Sequence, residues 1–227
     1  MTYSSPNELD SFDTLHPKVT KNMQGLKKFS MHGTFDGITY TTNDRLIVEV
    51  TKKRFLQNIH AASFHGVNRL VFHSPYRTFF RFSEGLTKLF VNMSINFWKA
   101  IEKSVPDGMV VFIENVEDED PQVMAEIING IDSHKIKCCF DIGHAYIYSP
   151  VPLDTWVKVL GSKIGHVHIN DNEGKNDSHM PLGKGKIPLL ETINNINEFV
   201  GEDIPFVLEC DALESIAWLR QNKFYAD

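Results

Sequence analysis

Cysteine is scarce: the 227-residue chain holds three, Cys138, Cys139 and Cys210. The first two are neighbours in an apolar run, and neighbours on a strand point to opposite faces, while Cys210 stands apart. No disulfide framework can be drawn from this, so a reducing compartment, the cytoplasm, is expected. Basic charge is also in short supply, with 23 Lys and Arg against 29 Asp and Glu and a formal net charge of −6. Proteins that wrap nucleic acid draw affinity from cations that neutralise phosphates, so nucleic acid is disfavoured as a partner but left open. No apolar run approaches the ~18 residues of a membrane span, and no signal-peptide pattern opens the sequence, so no membrane association is expected. Linkers, low-complexity tracts and repeats are lacking too. A single domain over residues 1–227 is the economical expectation.

What is present is an alternation. Short, nearly continuous apolar runs predict strands at Lys28–Phe35, Arg69–Ser74, Met109–Asn115, Ile136–Ile142, Ile164–Ile169 and Pro205–Cys210. Runs of this kind suit strands buried on both faces of a parallel sheet. Between them lie helical periodicities: VTKKRFLQNIHAASFHG, stopping at Gly66; LTKLFVNMSINFWKAIEKS, ending before Pro106; PQVMAEIINGI, PLDTWVKVLGSKI and IPLLETINNINEFVG; and finally ALESIAWLRQNKF. With the helix-like DSFDTLHPKVTKNMQGL in front, the order is one helix followed by six βα units, an α/β fold with a parallel sheet.

The last polar residue of each predicted strand is His32, His73, Glu114, Asp141, His168 or Glu209, so every strand ends in a side chain able to bind a metal. Parallel strands in a barrel bring their C-terminal ends to one face, where active sites of that architecture lie. His144 follows Asp141 in FDIGHA, and Asp177 and His179 lie in HINDNEGKNDSHMPLGKGKI, 168–187, a stretch too polar to fill a core. Imidazoles mixed with carboxylates suit Zn²⁺ or Mn²⁺ better than Ca²⁺. A lone strand histidine is more often a core residue than a ligand, but a buried carboxylate needs a partner, and six of six strand ends make a poor accident. His16, His60, His65 and His134 are read as ordinary surface residues, and His166 as structural, one layer below His168. Gly183 and Gly185 in PLGKGK are only a weak phosphate-cradle signal. The acidic run 117–120 is read as first-turn helix charge, and TFFRF at 78–82 as pocket lining or packing.

The pieces MHG, FHS, IEN, FDIGH, HINDN, DSH followed by LGKG, and LEC occur in order over about residues 29–210. Together they resemble the xylose isomerase-like TIM barrels, which include endonuclease IV-type enzymes and ketose epimerases. The resemblance implies a (β/α)₈ barrel in which Glu114, Asp141, His168 and Glu209 hold a shared metal. In the endonuclease branch it further implies a second ion held by His32 and His73 and bridged by Glu114, and a third held by His144, Asp177 and His179. One to three ions of Zn²⁺ or Mn²⁺ are therefore expected. Six strands rather than eight are read, so an N-terminally shortened barrel is expected, lacking the first strand, first helix and second strand. Such a barrel would leave open sheet edges, for a partner to cover if the chain is not itself cut short.

Three functions are weighed. The leading one is a metal-dependent isomerase or epimerase of a small sugar or sugar phosphate, in which the metal grips a carbonyl and a neighbouring hydroxyl and stabilises an enediolate. By the resemblance, Glu114 and Glu209 would move the proton and His144 would hydrogen-bond the substrate. Lys175 stands where the epimerase pattern H-I-x-D-x-x-G-R has Arg, and with Arg77 it is the candidate for holding substrate. The second is endonuclease IV-like phosphoester hydrolysis, supported by the nine-residue ligand set and by the nuclease-like Glu114–Asn115 pair. Against it, residues 115–120 carry four acids and no base, and residues 74–88 hold only Arg77, Arg81 and Lys88 against Glu84. The third is a shortened barrel without catalysis. A homo-oligomer is compatible with all three.

Overall fold

The computed structural model describes residues 3, 5–25, 29–201 and 203–224. Six strands pair in chain order, β1 (Met31–His32), β2 (Arg69–His73), β3 (Val110–Glu114), β4 (Ile136–Asp141), β5 (Ile164–Ile169) and β6 (Phe206–Leu208). Two short helices, α1 (Pro6–Asp10) and α2 (Phe12–Asn22), precede them. The others alternate with the strands: α3 (Arg45–Phe64), α4 (Glu84–Glu102), α5 (Pro121–Ile131), α6 (Ile142–Tyr148), α7 (Leu153–Leu160), α8 (Leu189–Phe199) and α9 (Ala212–Gln221). The expected α/β order with a parallel sheet is what the chain adopts.

Two details depart from the sequence reading. The first strand is two residues long instead of eight, and Lys28 of the expected span lies outside the described residues. The fourth strand stops at Asp141, because Asp141 caps a helix that the apolar pattern hides: its Oδ1 accepts the backbone N–H of His144 at 2.7 Å, and α6 begins at Ile142. No described helix is long and apolar enough to cross a membrane.

The chain divides into two compact units. The first takes in Met1–Pro75, Phe80–Ile113 and Ile127–Lys137. Here β1 runs parallel to β2, with Met31 level with Leu70 and His32 with Val71. Its core is aromatic. Phe55 of α3 stacks on Phe72 of β2 at 4.0 Å, Tyr40 stacks on Phe97 at 4.3 Å, and the buried Trp98 indole donates to Tyr40 Oη at 2.9 Å. Each such ring removed from water contributes about 1.5–3 kcal/mol. Gly33 is required by this packing, since a Cβ there would stand 2.3 Å from the Phe72 ring.

The second unit takes in Tyr76–Phe79, Glu114–Glu126 and Cys138–Asp227. Cys138, Phe140, Val167 and Ile169 from the strands pack with Trp156, Val157, Leu160, Ile193 and Ile196 of α7 and α8, all buried. The register fixes the candidate site: Asp141 pairs with His168 across β4–β5, and Ile169 with Leu208 across β5–β6. Glu209 follows at once, its N–H donating to Ile169 O at 3.1 Å.

Candidate metal centre

In the second unit, Glu114, Asp141, His168 and Glu209 each offer one ligand atom, and these atoms all lie within 4.8 Å of one another. His168 Nδ1 is 2.9 Å from Glu114 Oε1, 3.2 Å from Glu209 Oε1 and 4.0 Å from Asp141 Oδ2. Glu114, Asp141 and His168 are buried, and the Glu209 side chain keeps 24% of its exposure. Three carboxylates round one imidazole cannot all be charged out of water without a cation. Asp141 carries the clearest mark of this, because its Oδ2 is buried and has no hydrogen-bond partner. The donors and that orphaned oxygen fit a divalent cation with mixed nitrogen and oxygen ligands.

A second group, His144, Asp177 and His179, also lies wholly in this unit. Asp177 Oδ2 is 3.3 Å from His144 Nε2 and 3.1 Å from His179 Nε2. The opposite nitrogens are spent on the backbone: His144 Nδ1 donates to Asn115 O at 3.0 Å and His179 Nδ1 to Glu209 O. That fixes both tautomers and turns the Nε2 lone pairs toward Asp177, the arrangement a metal-binding histidine needs. His179 is held with φ +44°, a left-handed conformation costing about 1–2 kcal/mol in a non-glycine residue.

The electrostatics agree with a site poised for positive charge. Burial, helped by Glu114 and Glu209, lifts the Asp141 pKa to about 6 against the pull of His144 and His168. Burial works against a charged His168, but Glu114, Glu209 and Asp141 outweigh it and raise its pKa to about 9. His144 likewise overcomes burial, through Asp141, Asp177 and Glu114, and reaches about 10. The bond to Asp177 lifts His179 to about 9. Burial would lift Asp177 too, but bonds from the two histidines hold it well below the usual carboxylate range.

The remaining sequence candidates fall as follows. His32 and His73 lie in the first unit with rings 4.7 Å apart, edge to face, and His32 Nδ1 donates to Gly33 O at 2.8 Å. Arg77 is ion-paired with Glu117 at 2.5 Å, and Lys175 is exposed in the loop after β5. His166 is buried beneath His168, ring centroids 5.4 Å apart, as expected of a structural residue. Of TFFRF, Phe80 packs on Phe90 while Phe79 and Phe82 are exposed. Asp118 of the acidic run is buried and accepts the Val116 N–H, so it closes a turn instead of charging a helix end.

Asp171 is not among the candidate site residues, yet it answers much of the 168–187 loop. Its Oδ1 accepts the N–H groups of Asn172 and Ile187, and its Oδ2 those of Gly183 and Gly185, at 2.9–3.1 Å. The glycine N–H groups are therefore engaged inside the loop and form no phosphate cradle. Gly185 is obligatory there, since a Cβ would stand 2.3 Å from Asp171 Oδ1 and 2.4 Å from Asn172 O.

The model of the xylose isomerase-like TIM barrel family matches residues 8–222. The chain belongs to that family. Among solved xylose isomerase-like barrels, it is similar to the TTHB071 protein from Thermus thermophilus, soaked with ZnCl2, at 22% identity and TM-score 0.73. That match takes in 98% of this chain and 87% of the other. A D-tagatose 3-epimerase-like protein gives 22% identity and TM-score 0.75 over 97% of this chain and 83% of the other. At these identities the likeness speaks for the fold. By sequence, 66 residues are 33% identical to fructoselysine 3-epimerase of Escherichia coli O157:H7, over 29% of this chain and 24% of that protein. The chain spans less than half the length of the curated relatives it matches.

Proposed function

We propose that this barrel protein is a divalent-metal-dependent epimerase or isomerase of a small sugar or sugar phosphate. The observation that carries the reading is the buried set of three carboxylates round His168, with Asp141 Oδ2 left unpaired. Glu114, Asp141, His168 and Glu209 would hold the ion, Zn²⁺ or Mn²⁺ by donor chemistry. When bound, such an ion polarises a substrate carbonyl and makes the neighbouring C–H acidic. The chain itself handles the proton. Glu209, the most exposed of the four, takes the proton beside the carbonyl, and Glu114 returns one, as the family resemblance implies. His144 orients the substrate oxygen. Lys175, as a point charge, and Arg77, after leaving Glu117, are the groups for a hydroxyl or phosphate. Sugar epimerases among the relatives support this class of substrate.

The test is proton exchange in deuterated water. The metal-loaded protein, offered a panel of ketoses and ketose phosphates, should place deuterium beside the carbonyl of at least one. A chelator should abolish the exchange, and Glu209→Gln should slow it by about 100-fold or more while the fold persists. No incorporation across the panel would sink the reading.

One observation favours a second reading. The group His144–Asp177–His179 offers another ion a seat, and clustered ions suit phosphoester hydrolysis. Metal content separates the two: about three ions per chain and cleavage of an abasic duplex would favour hydrolysis, one ion and sugar turnover the epimerase.

A further inference from the structure

Asn115 sits immediately after the β3 carboxylate Glu114, is fully buried, and has no place in the chemistry above. Its contacts are specific. The side-chain amide donates from Nδ2 to Asp141 O at 2.9 Å, and its Oδ1 accepts the Asp141 N–H at 2.8 Å. The amide thus takes both backbone groups of Asp141 where β3 has ended, standing in for one more residue of parallel strand. Without it, a buried N–H and a buried C=O would be left unpaired.

Asn115 also acts through its backbone, because its carbonyl accepts His144 Nδ1 at 3.0 Å. Asp141 Oδ1 accepts the His144 N–H at 2.7 Å. Asn115, Asp141 and His144 are therefore closed into a ring by four hydrogen bonds. Asp141 belongs to one candidate ligand group and His144 to the other. We infer that Asn115 is a positioning residue that registers the two ligand groups against each other, so that both take up metal with the geometry it sets. It touches no ligand atom of the first group and acts through the backbone of Asp141 and the ring orientation of His144. This rests on the metal-site reading above, and on no particular substrate.

Two side-chain variants test it. Asn115→Asp keeps the shape and the acceptor for Asp141 N–H but sets an oxygen against Asp141 O. Asn115→Ala removes both bonds. Co²⁺ is the probe, titrated into the metal-free protein and followed by its visible absorption and by equilibrium dialysis, with far-ultraviolet circular dichroism to follow folding. Residues supporting metal ligands change affinity by about 10–100-fold when altered, and Asn115→Asp should weaken binding by that range with an altered Co²⁺ spectrum in a folded chain. The loss should fall on both groups together, whereas His179→Ala, which removes a ligand of the second group alone, should leave the first group's spectrum in place. Should Asn115→Ala fail to fold, the aspartate variant decides alone. Wild-type affinity and spectrum in folded Asn115→Asp would overturn the inference while leaving the metal reading intact. No Co²⁺ uptake by the wild type would sink both.

Discussion

Asp141 uses its two oxygens differently, and the difference explains why one residue counts for so much. Oδ1 caps α6, as any N-cap aspartate does, while Oδ2 is buried without a partner beside Glu114, Glu209 and His168. Replacing it by Ala should therefore do two separable things. Losing the cap should cost about 0.5–2 kcal/mol of stability, read from denaturant unfolding of the metal-free protein. Losing the ligand should weaken Zn²⁺ or Mn²⁺ binding by more than about 100-fold, read by dialysis against a chelating buffer. Asp141→Asn keeps much of the cap and should lose mainly the metal. If both variants bound metal like the wild type, Asp141 would not be a ligand.

At the scale of elements, the loop between β5 and α8 is the piece that chain-local reasoning handles least well. Its histidine and aspartate read as chemistry, its glycines as a weak phosphate signal, and yet Asp171 gathers four of its own N–H groups and closes the loop on itself. His179 is held against its preferred backbone in the same loop, facing Asp177. Asp171→Ala should leave those N–H groups without their acceptor, costing about 2–4 kcal/mol in stability, and should open residues 172–186 to limited proteolysis. An equally resistant loop would show that its order comes from elsewhere. Gly185→Ala should do the same through the clash with Asp171 and Asn172.

Over the whole molecule, the titrating groups of the site link stability, pH and metal. His144, His168 and His179 have folded pKa values of about 9–10, above the ordinary value of about 6.5. Their stabilising contribution is complete below about pH 6.5 and is lost as pH rises through about 9–10. In the metal-free protein their protons are the positive charge that the carboxylates hold. The melting temperature without metal should therefore fall between pH 7 and pH 10, and saturating Zn²⁺ should reduce that fall, because the cation replaces the protons. The metal-induced rise in melting temperature should grow with pH over this range, as thermal melts with and without chelator will measure. A metal effect that shrank as pH rose would contradict the linkage.

The sequence by itself determined the α/β order, the parallel sheet and the family, because apolar runs and helical periods are local consequences of burial, and because His32, His73, Glu114, Asp141, His168 and Glu209 each close or directly follow a strand. It did not reveal α6, since the strand into Ile142 and the helix from it are both apolar and only the Asp141 cap divides them. Nor did it reveal what Asn115 and Asp171 do. Those roles were decided by tertiary structure, for a physical reason: a hydrogen bond from Asn115 to Asp141, or from Gly183 to Asp171, joins residues 26 and 12 positions apart, and only the folded backbone determines which donor meets which acceptor.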